Sequence, residues 1–131
     1  MLDNKDYCDY ETCVALKELG YKGISRFFYA TKESPLRRYS YDQILTTRIA
    51  DAVGHTLAIS LYSAQKWLRE EKKIEVNATY DNIVELHWHW YMKSLTNRNQ
   101  IISNTNHDSY EQALLAGIKE AVKILKDGNN N

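Results

Sequence analysis

The sequence predicts an α+β domain: an antiparallel meander of about three strands, joined by 24–30 as a fourth at an edge, packed on one face by three to four helices. Three observations carry this expectation. The runs "IEVNATY" (74–80) and "VELHWHWYM" (84–92) alternate apolar and polar residues with the period of two that belongs to half-buried antiparallel strands. "LYSAQKWLREEKK" behind Ser60 and "YEQALLAGIKEAVKIL" behind Ser109 repeat apolar residues at helical spacing after good N-caps. Turn residues separate these runs at short intervals.

Taken in order, Asp9 caps a helix over roughly 10–19, with Tyr10, Cys13, Val14 and Leu16 or Leu19 as its apolar stripe. Gly20 is its left-handed stop, and Tyr21 folds back on the last turn. "ISRFFYA" (24–30) crowds aromatics into a run too short for a helix and reads as a strand. "TKESPLRR" is a loop, and "YDQILTTRIADAV" (41–53) spaces apolar residues as a helix that Gly54 ends. A helix follows over 61–72, with Leu61, Ala64 and Leu68 inward and Trp67 beside them.

The hairpin turns near Asp81-Asn82. A two-residue loop there would set Val76 opposite His87, placing one strand's apolar set on the other's polar face. Matching Val76 with Trp88 or Leu86 requires an odd-length loop or a bulge, and one of these is expected. Leu86, Trp88, Trp90 and Met92 then face the helices, while Glu85, His87, His89 and Tyr91 face solvent. A turn at 97–99 leads to a third strand near 100–103. In the last helix Ser109 and Gln112 form a capping box, and Tyr110, Leu114, Gly117, Ile118, Ala121 and Leu125 share one side. Gly117 costs about 1 kcal/mol against alanine, so close packing against an aromatic is its expected compensation. Gly128 ends the helix.

The 131 residues suit one domain, expected over 1–127 with a disordered tail at 128–131. Seventeen basic residues balance seventeen acidic ones, eight of each in the first 60, so the charge surplus of a generic polyanion binder is missing. The first residues lack a leader pattern, and no apolar run nears the roughly 20 residues a bilayer span needs. A cytoplasmic protein with no membrane partner is expected. Cys8 and Cys13 sit five apart and point in different directions from one helix, which predicts reduced, unpaired thiols.

The runs "LYSAQKWLREEKKIEV" and "SYEQALLAGIKEAVKIL" resemble those of a family of small bacteriophage- and prophage-type proteins of no assigned activity. The resemblance rests on Tyr10-Glu11, Gln65 to Glu70 and Tyr110 to Ile118, about half the chain. Residues 24–57 are hard to align, and Ile59 stands where the family tends to have a proline. It implies a mobile-element setting and transfers no site residue.

Four side-chain groups invite a function. Ten tyrosines and three tryptophans suit an interface, and Trp67, Tyr91, Tyr39 and Tyr41 are its candidate residues for binding a protein partner or a second copy. Residues 22–38 interleave Arg26, Lys32, Arg37 and Arg38 with Phe27, Phe28 and Tyr29, the cation-plus-aromatic chemistry of weak nucleic-acid binding. The helix at 61–72 followed by a hairpin also has the order of a winged helix, although Glu70 and Glu71 would repel phosphate. His87 and His89 share a strand face with Glu85, but a half-solvated strand shows the same alternation, and no metal or cofactor is expected. No phosphate loop, nucleophile elbow or paired metal-ligand motif occurs, so no catalysis and no small-molecule substrate are expected.

Overall fold

The computed structural model describes residues 4–39, 44–81, 87–96, 99–102 and 106–129. Among them are four α-helices and three small antiparallel sheets, an α+β fold. The chain divides into two compact units, Met1–Ser63 and Ala64–Asn131.

In the first unit, helix α1 (Tyr10–Glu18) starts where the Asp9 carboxylate accepts the Thr12 N–H at 2.9 Å. It closes at Gly20, whose φ of +109° suits a residue without a Cβ. The N–H groups of Gly20 and Tyr21 there donate to the carbonyls of Lys17 and Leu16. Cys13 and Leu16 are fully buried, and Tyr21 is buried with them.

Residues 24–30 do not join the meander. Ser25 Oγ accepts the Phe27 N–H at 3.0 Å, a local bond that bends the chain at Arg26 and splits the run. The halves are β1 (Ile24–Ser25) and β2 (Phe27–Tyr29). Strand β2 pairs with β3 (Arg37–Arg38) on one side and β5 (Thr56–Leu57) on the other, while β1 pairs with β4 (Leu45–Thr46).

The helix expected over 41–53 shrinks to α2 (Thr47–Ala52). Thr46 accepts the Ile49 N–H at 3.2 Å and acts as the N-cap, because a β-branched residue with a short hydroxyl serves a helix end better than its interior. Tyr41 lies outside the described residues.

Helix α3 (Leu61–Glu71) begins at the end of this unit, where Ser60 Oγ accepts the Ser63 N–H at 3.0 Å. As expected, Leu61, Ala64 and Leu68 are buried.

The second unit holds the meander. Strands β6 (Ile74–Asp81), β7 (His87–Ser94) and β8 (Gln100–Ile102) run in that order across one sheet. Val76 pairs with Met92, Ala78 with Trp90 and Tyr80 with Trp88, so the apolar sets coincide. The parity is the expected one, since five residues separate the last pair, Asp81 and His87. The partner of Val76 is nevertheless Met92 rather than Trp88 or Leu86, because the connection is longer than a tight turn. Residues 82–86, with Glu85 and Leu86, lie outside the described residues.

Helix α4 (Tyr110–Asn129) lies across β6 and β7. Ser109 Oγ accepts the Gln112 N–H at 3.1 Å, and Gln112 Oε1 accepts from Asp108 N rather than from the cap residue itself. The buried face consists of Ala113, Leu114, Ile118, Ala121 and Val122, set against Val76, Trp90 and Met92. Leu125 is only half-buried. The helix passes Gly128 and runs to Asn129, so the stop and tail expected from Gly128 begin too early. One interior glycine costs about 1 kcal/mol, less than a well-packed 20-residue helix can absorb. Among the described residues no helix is long and apolar enough to cross a membrane.

Candidate interaction surfaces

Tyr39, Trp67 and Tyr91, the described aromatic residues expected at an interface, are half-buried. The Tyr39 hydroxyl bonds His55 Nδ1 at 2.7 Å, and its ring packs on Phe28 with centroids 4.1 Å apart. Burial pushes its phenol above the usual tyrosine range. Trp67 is half-buried, with the Lys72 ammonium over its ring at 5.4 Å. Tyr91 is half-buried in the middle of β7, opposite Asn77 on one side and Ile102 on the other.

The basic segment keeps its cations outside. Arg26, Arg37 and Arg38 are exposed, and Lys32 reaches Glu11 at 3.3 Å. Its aromatic rings are not available for stacking on bases. Phe28 and Tyr29 are buried, and Phe27 packs against Tyr7 with centroids 5.1 Å apart. Half of the chemistry that a single strand needs has gone into the core.

His87 and His89 lie on one strand face with ring centroids 5.9 Å apart. They are half-buried rather than fully wet, and His87 Nδ1 is enclosed. Trp90 is buried and Trp88 half-buried, its ring meeting Tyr110 edge-on at 5.5 Å. Among the described residues no group of three or more His, Cys, Asp or Glu side chains converges.

Neither Cys8 nor Cys13 is in a disulfide, and both are fully buried. Cys13 Sγ accepts the Ile59 N–H at 3.3 Å, and the Tyr29 hydroxyl donates to the Cys8 carbonyl at 2.7 Å. Burial pushes the Cys13 thiol up to about 12, which makes it an inert core group and not a nucleophile.

Among the described residues two tyrosines are exposed, Tyr62 and Tyr80, and the other exposed large apolar side chains are aliphatic. In the second unit Leu95, Ile101, Ile102 and Ile124 are 47, 46, 61 and 39% exposed. Ile101 pairs with Met92 on the face that α4 covers, and Ile102 with Tyr91 on the opposite face. A groove of about 300 Å³ opens there, lined by Ile74, Met92, Ile101 and Ile124 with Lys72 at its margin. In the first unit Ile24, Ile44, Ile49 and Val53 are 48 to 60% exposed. Ile49 lines a wider, open cleft of about 980 Å³ whose charged residues are Lys17, Lys22, Arg48 and Asp51, and Ile24 pairs with Thr46 of the same lining.

None of these aliphatics is an expected interface residue of the sequence, and Ile44, Ile49 and Val53 count there as the apolar stripe of the helix over 41–53. The available signal was "QII": two consecutive isoleucines in a short strand must put one on each face.

No family model, no curated protein and no solved structure matches this chain.

Proposed function

We propose that this protein is a non-catalytic interaction module that pairs with a second copy of itself through β8. The observation that carries the reading is the bare edge at Ile101 and Ile102. Among the described residues β8 hydrogen-bonds on one side only, to β7. The opposite edge of the sheet is guarded, since Gln65 Nε2 donates to Val76 O at 2.8 Å and to Asn77 Oδ1 at 3.2 Å. An unguarded apolar edge strand is a template for strand addition, and two identical edges pair antiparallel about a twofold axis. A formal net charge of zero puts no long-range repulsion between copies.

Burying what remains exposed of Leu95, Ile101, Ile102 and Ile124 is worth roughly 3–6 kcal/mol per copy, and about twice that for a twofold pair. An association cost of roughly 4–15 kcal/mol leaves a surplus of a few kcal/mol where that cost is at its lower end, so the dimer is weak, with Kd on the order of 0.1–1 mM. Two thiols outside any disulfide suit a reducing, cytoplasmic setting. A phage or prophage origin belongs to the same proposal and rests on the sequence resemblance alone.

Sedimentation or NMR diffusion across about 0.02–1 mM tests the reading. Apparent mass should rise with concentration, and Ile101→Asp should hold the chain monomeric without changing its circular dichroism. A wild-type chain that stays monomeric throughout would overturn it.

A further inference from the structure

We propose that the open cleft between the end of α1 and α2 binds an acidic, apolar peptide segment of a partner protein. Its charge balance is the first argument. Three cations, Lys17, Lys22 and Arg48, meet a single carboxylate, Asp51. That carboxylate is taken up by Lys17 at 2.9 Å, with side chains 31 and 48% exposed. Lys22 and Arg48 are exposed, and neither pairs with a carboxylate among the described residues. Among the described residues an incoming acid therefore completes the charge count rather than displacing an internal carboxylate.

The backbone does not do this work. The N–H groups of Gly20 and Tyr21, which line the cleft, are consumed in closing α1. Recognition falls to side-chain charge, which makes it salt-sensitive.

The rim selects the class of ligand. Ile49 lines the cleft and is 48% exposed, and Ile24 is 60% exposed. Ile24 pairs with Thr46, which itself lines the cleft, so aliphatic and cationic side chains adjoin. A nucleic-acid backbone would leave these isoleucines against sugar and phosphate. Among the described residues of the lining it would also find no aromatic face for its bases, because Tyr21 is only 6% exposed. A segment alternating Asp or Glu with Leu or Ile satisfies both parts at once: carboxylates on Lys22 and Arg48, aliphatic side chains on Ile24 and Ile49.

The test uses the full chain and a panel of fluorescein-labelled 12-residue peptides alternating acidic and aliphatic residues. Matched panels carry Lys for Asp and Glu, or Ser for Leu and Ile. Mixed-sequence single-stranded DNA and inorganic phosphate are run beside them, with anisotropy for affinity and amide chemical shifts for location. Acidic-aliphatic peptides should bind, shift Lys22, Thr47 and Ile49, and weaken several-fold when salt rises from about 25 to about 300 mM. The pair K22E/R48E, both exposed positions, should lose at least about tenfold in affinity with the thermal unfolding midpoint unchanged. Ile49→Ala should weaken binding while leaving its salt dependence intact. The proposal fails if no acidic-aliphatic peptide binds at millimolar concentration, if K22E/R48E binds like wild type, or if Ser-substituted peptides, DNA or phosphate bind the same residues as well or better. It stands apart from pairing at β8: Ile101→Asp should leave peptide affinity unchanged, and K22E/R48E should leave the dimer unchanged.

Discussion

Gly117→Ala tests the packing of the second unit most directly, because two opposing effects act at one carbon. In an exposed helix the substitution would stabilise by about 1 kcal/mol, the difference in helix propensity. Here a Cβ at Gly117 would meet Val76 Cγ1 at 2.7 Å, Trp90 Cβ at 3.0 Å and Trp90 Cγ at 3.2 Å. Val76 is fully buried and Trp90 nearly so, so neither can swing away at no cost. Overpacking of this kind costs about 1–3 kcal/mol. The net expectation is a loss of about 1 kcal/mol, or a few degrees in Tm. Urea unfolding of the intact chain reads it. Gly128→Ala is the internal control, since a Cβ there meets nothing within 4 Å. Val76→Ala removes the closest clashing atom, so Gly117→Ala should cost less in that background than in wild type, a coupling that a double-mutant cycle reports. If Gly117→Ala alone raises stability by about 1 kcal/mol, α4 does not rest on the hairpin through this residue and the packing argument is wrong.

Three further outcomes are expected. Asp9→Ala should cost about 1 kcal/mol by removing the 2.9 Å cap on Thr12 N, read by thermal unfolding against Asp9→Asn, which keeps a capping oxygen. Tyr29→Phe should cost about 1–2 kcal/mol, because the buried Cys8 carbonyl loses its 2.7 Å donor. Neither thiol should react with a disulfide reagent at pH 8 in the folded protein, and both should react in urea. Because the folded Cys13 thiol sits at about 12 against an ordinary 9.0, its contribution to stability is complete below pH 9 and disappears between pH 9 and 12. Unfolding free energy should accordingly fall as pH rises through that window, less steeply in Cys13→Ala. An unchanged slope would remove Cys13 from the account.

Elements that rest on local chemistry were legible. The Asp9 cap, the Gly20 closure, the Ser60 and Ser109 starts and the odd-parity hairpin each depend on residues within a few positions of one another. The glycine at 117 was also legible in kind, because a destabilising residue in the middle of a strong helix calls for a close neighbour. The stretch 24–53 was not legible to the same degree. Its strands are two or three residues long, too short to show a period, and their pairing partners lie 9 to 29 residues away in sequence. A single hydroxyl, Ser25 Oγ, decides where the run breaks.

The candidate surfaces went unread for a different reason. Aromatic abundance points to interfaces on average, but a small unit without disulfides needs its large rings for the interior. Tyr21, Phe28, Tyr29 and Trp90 are all buried, and Tyr39 is held by His55. With these rings committed inward, and Tyr62 and Tyr80 left outside, most of the exposed large apolar side chains are aliphatic. Ile102 stands opposite Tyr91, on the sheet face away from the α4 side, and Ile24 and Val53 flank the short α2 segment. Such residues carry no motif. They become visible only when a period is broken, as in "QII", where one isoleucine must face away from whatever covers the other. Substituting that outward residue, Ile102→Thr, should therefore leave the folding stability of the monomer within about 0.5 kcal/mol of wild type while weakening self-association. If the monomer instead unfolds, Ile102 supports the core, and the edge is not a docking strand.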